Sequence, residues 1–161
     1  MNPINLLTNM TRAKSKSGSC VVAVDLSSDT ARVVQLRGVS DSMKVERIAA
    51  QTVSQEDEQG AVAFLKKALA EIDGRNAQVV CCLPSKHIMA RNIDMPSNNR
   101  EEIAKIINLQ VGRFTPYSRD EIVVDYLCHE IEGQHYTNVL LFIVHRKIIE
   151  RYYRILDTAG L

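Results

Sequence analysis

The stretch Cys20-Val21-Val22-Ala23-Val24-Asp25-Leu26-Ser27-Ser28-Asp29-Thr30-Ala31-Arg32-Val33-Val34-Gln35-Leu36 decides the fold. An apolar, β-branched run ends in an acid, a hydroxyl-rich turn follows at 27–30, and a second apolar run returns, which is the pattern of a β-hairpin. The turn offers backbone amides and the side chains of Ser27, Ser28, Asp29 and Thr30, and successive N–H groups in such a turn suit an anion. Asp25, at the end of the first strand, can hold a magnesium ion through water, because Mg²⁺ takes one or two carboxylates and keeps most of its waters. Ser, Asp and Thr also satisfy the backbone of ordinary turns, so these residues by themselves leave a plain hairpin open.

Outward from the hairpin, strands are expected at 20–26, 31–37 and 43–51, making a three-stranded meander. The acidic segment Ser54-Gln55-Glu56-Asp57-Glu58 precedes a helix in which Ala61, Leu65, Leu69 and Ile72 share one face, with Gly74 as its stop. Residues 77–83, apolar but for Gln78, form a run ending at Pro84, as a strand covered on both faces would. The order over 20–84 is βββαβ.

The pattern then restarts. A strand over 88–95 closes at Pro96, Asn99 caps a helix with Glu102 three residues on, and Ile103, Ile107, Val111 and Phe114 line one helix face. Phe114-Thr115-Pro116-Tyr117 breaks the helix, a hairpin follows over 121–130 and 136–144, and a last helix carries Ile148, Ile149, Tyr152, Ile155 and Leu156 before Gly160. This βαββα unit over 85–161 reads as an α+β layer with helices on one side of an antiparallel sheet. Residues 1–19 read as a flexible leader, polar and basic over 8–19.

With 161 residues and 45% hydrophobic content the chain can bury a core, and a net charge of +1 supplies no field for nucleic acid or anionic lipid. No apolar run reaches membrane-spanning length. Cys20, Cys81, Cys82 and Cys128 form no C-x-x-C pair and read as buried free thiols, and His87, His129, His135 and His145 lack ligand spacing, so no metal site is expected.

Ala23-Val24-Asp25-Leu26-Ser27-Ser28 with Arg32 and Leu36 resembles the first phosphate loop of the actin-like ATPases of the PilM family, type IV pilus assembly proteins related to FtsA. Val79-Val80-Cys81-Cys82-Leu83-Pro84, Arg91-Asn92-Ile93-Asp94-Met95-Pro96, Phe114-Thr115-Pro116-Tyr117, Asp120-Glu121-Ile122-Val123-Val124-Asp125-Tyr126 and Asp157-Thr158-Ala159-Gly160-Leu161 resemble further family signatures in the same order. The resemblance covers about 20–161 and implies a mixed α/β and α+β chain. Residues 20–84 would open an actin-like, ribonuclease-H-like subdomain 1A, and 85–161 would form a small SHS2-type subdomain 1C.

It further implies a cytoplasmic scaffold, peripheral to the inner membrane, that binds the N-terminal tail of a PilN-like membrane protein, with self-association a second partner reading. Asp25, Ser27, Ser28, Asp29, Thr30 and Arg32 would contact the phosphates of ATP with Mg²⁺ in a longer parent that supplies the rest of the cleft. Ser27 stands where the family has glycine, and its Cβ restricts a phosphate's approach; Arg32 replaces a lysine and keeps the charge in a broader head. Tight nucleotide binding and turnover by this chain are therefore not expected, and no catalytic residue is assigned. Phe114, Pro116 and Tyr117 are the candidate partner contacts, a kinked apolar corner for which core closure is the commoner explanation. Ile4-Asn5-Leu6-Leu7 resembles a PilN segment, which makes Ile4, Leu6 and Leu7 candidate peptide anchors. The alternatives are a nucleotide-switched ATPase of type II secretion or cell division and, more remotely, a ribonuclease-H-like nuclease, which needs carboxylates clustered around Asp25.

Overall fold

The computed structural model describes residues 19–39, 42–72, 77–130 and 136–161. These contain β1 (Ser19–Asp25), β2 (Thr30–Gly38), β3 (Lys44–Thr52), α1 (Glu58–Ala70), β4 (Gln78–Cys82), β5 (Ile88–Met95), α2 (Arg100–Gln110), β6 (Ile122–Glu130), β7 (Thr137–His145) and α3 (Arg146–Ala159). Short 3₁₀ turns lie at Ser85–His87, Val111–Arg113 and Arg119–Glu121. Two compact units result, one of residues 19–85 with 150–161 and one of residues 86–149.

The first unit is a four-stranded sheet in the order β3-β2-β1-β4, antiparallel except for the parallel pair β1 and β4. Alternation fixes its faces: Val22 and Val24 of β1, with Ala31 and Val33 of β2, are buried on one face. Ala61, Phe64, Leu65 and Ala68 of α1 and Tyr152, Ile155 and Ala159 of α3 are the buried residues of its two helices. On the opposite face Val21, Ala23, Val34 and Leu36 are half-buried, whereas Val45 and Ile48 of the edge strand β3 are exposed.

The second unit is a three-stranded antiparallel sheet in the order β5-β7-β6. Ile103 and Ile107 of α2 and Val111 of the 3₁₀ turn that follows it join Met95, Ile122, Val124, Val139, Leu141 and Ile143 in one core. Asn99 caps α2 as its sequence position predicts, its carboxamide oxygen accepting from the amides of Glu101 at 2.8 Å and Glu102 at 3.4 Å. The Glu102 carboxylate does not reach back to the cap but accepts from the Ser97 hydroxyl at 2.6 Å.

The structure corrects the sequence reading at three places. Residues 150–161 group with 19–85 while 146–149, the first turn of α3, group with 86–149, so the last helix does not belong wholly to the second unit. Its apolar face is equally suited to either sheet, which is why periodicity alone misassigns it. Second, β4 is an edge strand with exposed Gln78 and Cys82, not a strand covered on both faces. Third, the thiols are free but only Cys20 is buried, Cys81 and Cys128 being half-buried and Cys82 exposed. The stop at Gly160 holds: its φ is +95°, and the Leu161 amide donates to the Leu156 carbonyl at 3.0 Å, closing α3 as a left-handed C-terminal residue does.

Candidate functional site

Pairing of β1 with β2 sets Asp25 directly opposite Arg32, both on the sheet face away from Val24 and Val33. Between them the chain turns through 26–29. The Ser27 amide donates to Asp25 Oδ1 at 2.8 Å, and Arg32 Nη1 donates to Asp25 Oδ2 at 3.3 Å, to Ser28 Oγ at 3.1 Å and to the Thr30 carbonyl at 3.2 Å. The Thr30 amide in turn donates to Ser28 Oγ at 3.3 Å. Five of the six predicted phosphate-loop residues thus meet in one cluster. Asp29 is the sixth; its exposed side chain stands apart, while its carbonyl accepts from the Val53 amide at 3.0 Å.

Partial burial raises the pKa of Asp25, but the Ser27 hydrogen bonds and the Arg32 guanidinium outweigh it and hold the carboxyl below its usual range. The carboxylate is therefore ionised, with both oxygens already engaged. That donor set fits phosphate better than a bare metal ion: Arg32 and the Ser28 hydroxyl can turn to an anion, whereas Mg²⁺ would reach Asp25 only through water and would need phosphate oxygens to complete its shell. Among the described residues no three His, Cys, Asp or Glu side chains converge as a metal site.

Sequence reasoning missed two residues that hold this turn. Gln55 Nε2 donates to the Ser27 carbonyl at 2.8 Å. Arg151 fixes Gln55 from α3, donating through Nη2 to the Gln55 carbonyl at 2.7 Å and through Nε to Glu58 Oε1 at 2.8 Å. The cavity beside Ser28, Gln55, Glu58 and Arg151 measures about 10 Å³, room for one water and not for a nucleoside. No signal in the sequence marks this brace, because Ser27, Gln55 and Arg151 are joined only by tertiary structure, 28 and 96 positions apart along its two links.

In the second unit the predicted partner corner divides. Phe114 is half-buried against the core cluster, Pro116 is exposed, and Tyr117 is 43% exposed with its ring set edge-on to His145 at 4.8 Å between centroids. The Tyr117 amide donates to Thr115 Oγ1 at 3.2 Å, a local bond that turns the chain out of the preceding helical segment. The leader residues Ile4, Leu6 and Leu7, together with His135 and Gly74, lie outside the described residues. No described helix is long and apolar enough to cross a membrane.

The chain resembles a solved chain of a PilM-PilN type IV pilus biogenesis complex, with a TM-score of 0.73 at 16% identity, covering 88% of this chain and 45% of that one. It also resembles the cytoplasmic domain of EpsL, an inner membrane component of the type II secretion system of Vibrio cholerae, with a TM-score of 0.55 at 12% identity, covering 90% of this chain and 54% of that one. These likenesses identify the fold as part of the actin-like architecture, and the chain spans about half the length of each. No curated protein sequence matches it. The family described as type IV pilus assembly protein PilM matches residues 19–161, nearly all of the chain and every described residue. The chain therefore belongs to the PilM family.

Proposed function

We propose that this chain acts as a cytoplasmic scaffold, peripheral to the inner membrane, that binds the N-terminal tail of a PilN-like membrane protein and does not turn over nucleotide. The observation that supports this reading is the fold shared with a chain of a PilM-PilN complex over 88% of this sequence, together with family membership over 19–161. Tyr117 and Pro116 are its outward-facing candidate contacts. The test is fluorescence anisotropy of a labelled PilN N-terminal peptide against the purified chain: saturable binding is expected, and none up to millimolar protein overturns the proposal.

A second reading concerns the hairpin and rests on the Asp25–Arg32 cluster. Arg32, the Ser28 hydroxyl and the turn amides take phosphate oxygens weakly in this chain, and tightly only in a longer parent that supplies a nucleoside pocket and the remaining phosphate contacts. ATP hydrolysis by this chain is expected to be absent; phosphate release that disappears in Asp25→Ala would overturn that. The nuclease alternative finds no support among the described residues, since no acidic cluster forms around Asp25.

A further inference from the structure

We infer that Gln55, held in place by Arg151, is a positioning residue for the anion-binding turn. A trans peptide plane sets its C=O and N–H in opposite directions, so fixing the Ser27 carbonyl fixes the Ser28 amide as well. Gln55 Nε2 holds that carbonyl at 2.8 Å from outside the hairpin, which aims the Ser28 N–H the opposite way. Among the described residues that amide has no hydrogen-bond acceptor within the chain, and it sits in the same residue as the hydroxyl that Arg32 Nη1 reaches at 3.1 Å. An aimed amide, a hydroxyl and a guanidinium then present themselves to one anion.

Gln55 could not do this if its own backbone were loose, because it lies in the connection between β3 and α1. Arg151 removes that freedom: its guanidinium spans the Gln55 carbonyl at 2.7 Å and Glu58 Oε1 at 2.8 Å, tying the connection to the first turn of α1 and to α3 together. The Arg151 side chain is 28% exposed, so this two-pronged, charge-assisted grip is partly shielded from solvent. Gln55 bonds to the Ser27 carbonyl and Arg151 to the Gln55 carbonyl. Both act through the orientation of one peptide plane.

The inference rests on the phosphate reading of the hairpin, and one experiment separates the two. Isotope-labelled full-length chain is titrated with pyrophosphate into the millimolar range while the Ser28 and Asp29 amide resonances are followed. Saturating shifts at both are expected in the wild type. Gln55→Met, close in shape but without the donor, and Arg151→Met are each expected to weaken binding about three- to tenfold, the worth of one hydrogen bond. Arg151→Lys, which still reaches the Gln55 carbonyl, is expected to recover part of that loss, and all variants keep a thermal midpoint close to the wild type. Wild-type affinity in Gln55→Met overturns the positioning role and leaves the phosphate reading standing. Absent shifts in the wild type overturn both. An affinity loss that tracks lowered thermal stability, with no recovery in Arg151→Lys, also overturns the positioning role.

Discussion

Asp25 and Arg32 are register partners across β1 and β2, and Arg32 Nη1 lies 3.3 Å from Asp25 Oδ2 at the mouth of the hairpin turn. The pair is partly solvated, with side-chain exposures of 47% for Arg32 and 30% for Asp25, so it orders the turn more than it stabilises the fold. Because Ser27 and Arg32 together hold the Asp25 pKa below its ordinary value of 3.8, the stability from this carboxylate is fully present above that value. It is lost as pH falls through the lowered, folded-state pKa. Replacing Arg32 with Met removes one of the lowering influences, so the Asp25 titration moves upward, towards its ordinary range. Carboxyl-carbon NMR titration of wild type and Arg32→Met reads this directly; an unchanged or lower midpoint in the variant would contradict the assignment.

The two adjacent thiols of β4 are expected to differ sharply in reactivity. Burial, followed by the proximity of Cys82 and Asp25, pushes the Cys81 thiol up to about 12. Only the thiolate is the nucleophile, so at mildly alkaline pH Cys81 is almost wholly unreactive. Cys82 is exposed on the opposite face of the strand. Iodoacetamide at pH 8 followed by peptide mass spectrometry should show Cys82 alkylated first and Cys81 spared until the chain is unfolded.

Asn99→Ala tests the start of α2. The carboxamide oxygen satisfies two amides that otherwise have no acceptor within the helix, and loss of such a cap costs about 1 kcal/mol, within a range of about 0.5–2. Asn99→Asp should be close to neutral, since a carboxylate caps equally well and favours the helix N-terminus. Urea denaturation of the two variants measures the difference, and equal loss in both would mean that the cap contributes nothing specific to asparagine or aspartate.

The βββαβ order, the hairpin around Asp25 and the capped helix at Asn99 were legible because each is written in local alternation, turn chemistry or helical spacing. The placement of α3 was not. Its face of Ile148, Ile149, Tyr152, Ile155 and Leu156 records only that one side is apolar, and any sheet would satisfy it. The same limit hid the brace on the turn: a glutamine in an acidic segment and an arginine on a helix have no meaning until tertiary structure brings them to the Ser27 carbonyl. Phase also decided the thiols, since adjacent strand residues face opposite ways, but which face is covered depends on the helices.

The corner at Phe114, Pro116 and Tyr117 gives the last prediction, because burial divides its residues into two classes with opposite readouts. Phe114 packs half-buried against the core of 86–149, so Phe114→Ala should cost about 2 kcal/mol, less than the roughly 3–5 of a fully buried ring. Tyr117 is 43% exposed and touches His145 edge-on, a contact worth about 0.5–1.5 kcal/mol, so Tyr117→Ala should leave the fold nearly as stable as before. If this corner receives a PilN-like tail, the exposed aromatic is the anchor, and its removal should weaken peptide binding about tenfold or more. Parallel urea denaturation and peptide anisotropy on both variants separate the roles. Tyr117→Ala with unchanged peptide affinity would remove this corner from the partner surface and leave Phe114 as a packing residue only.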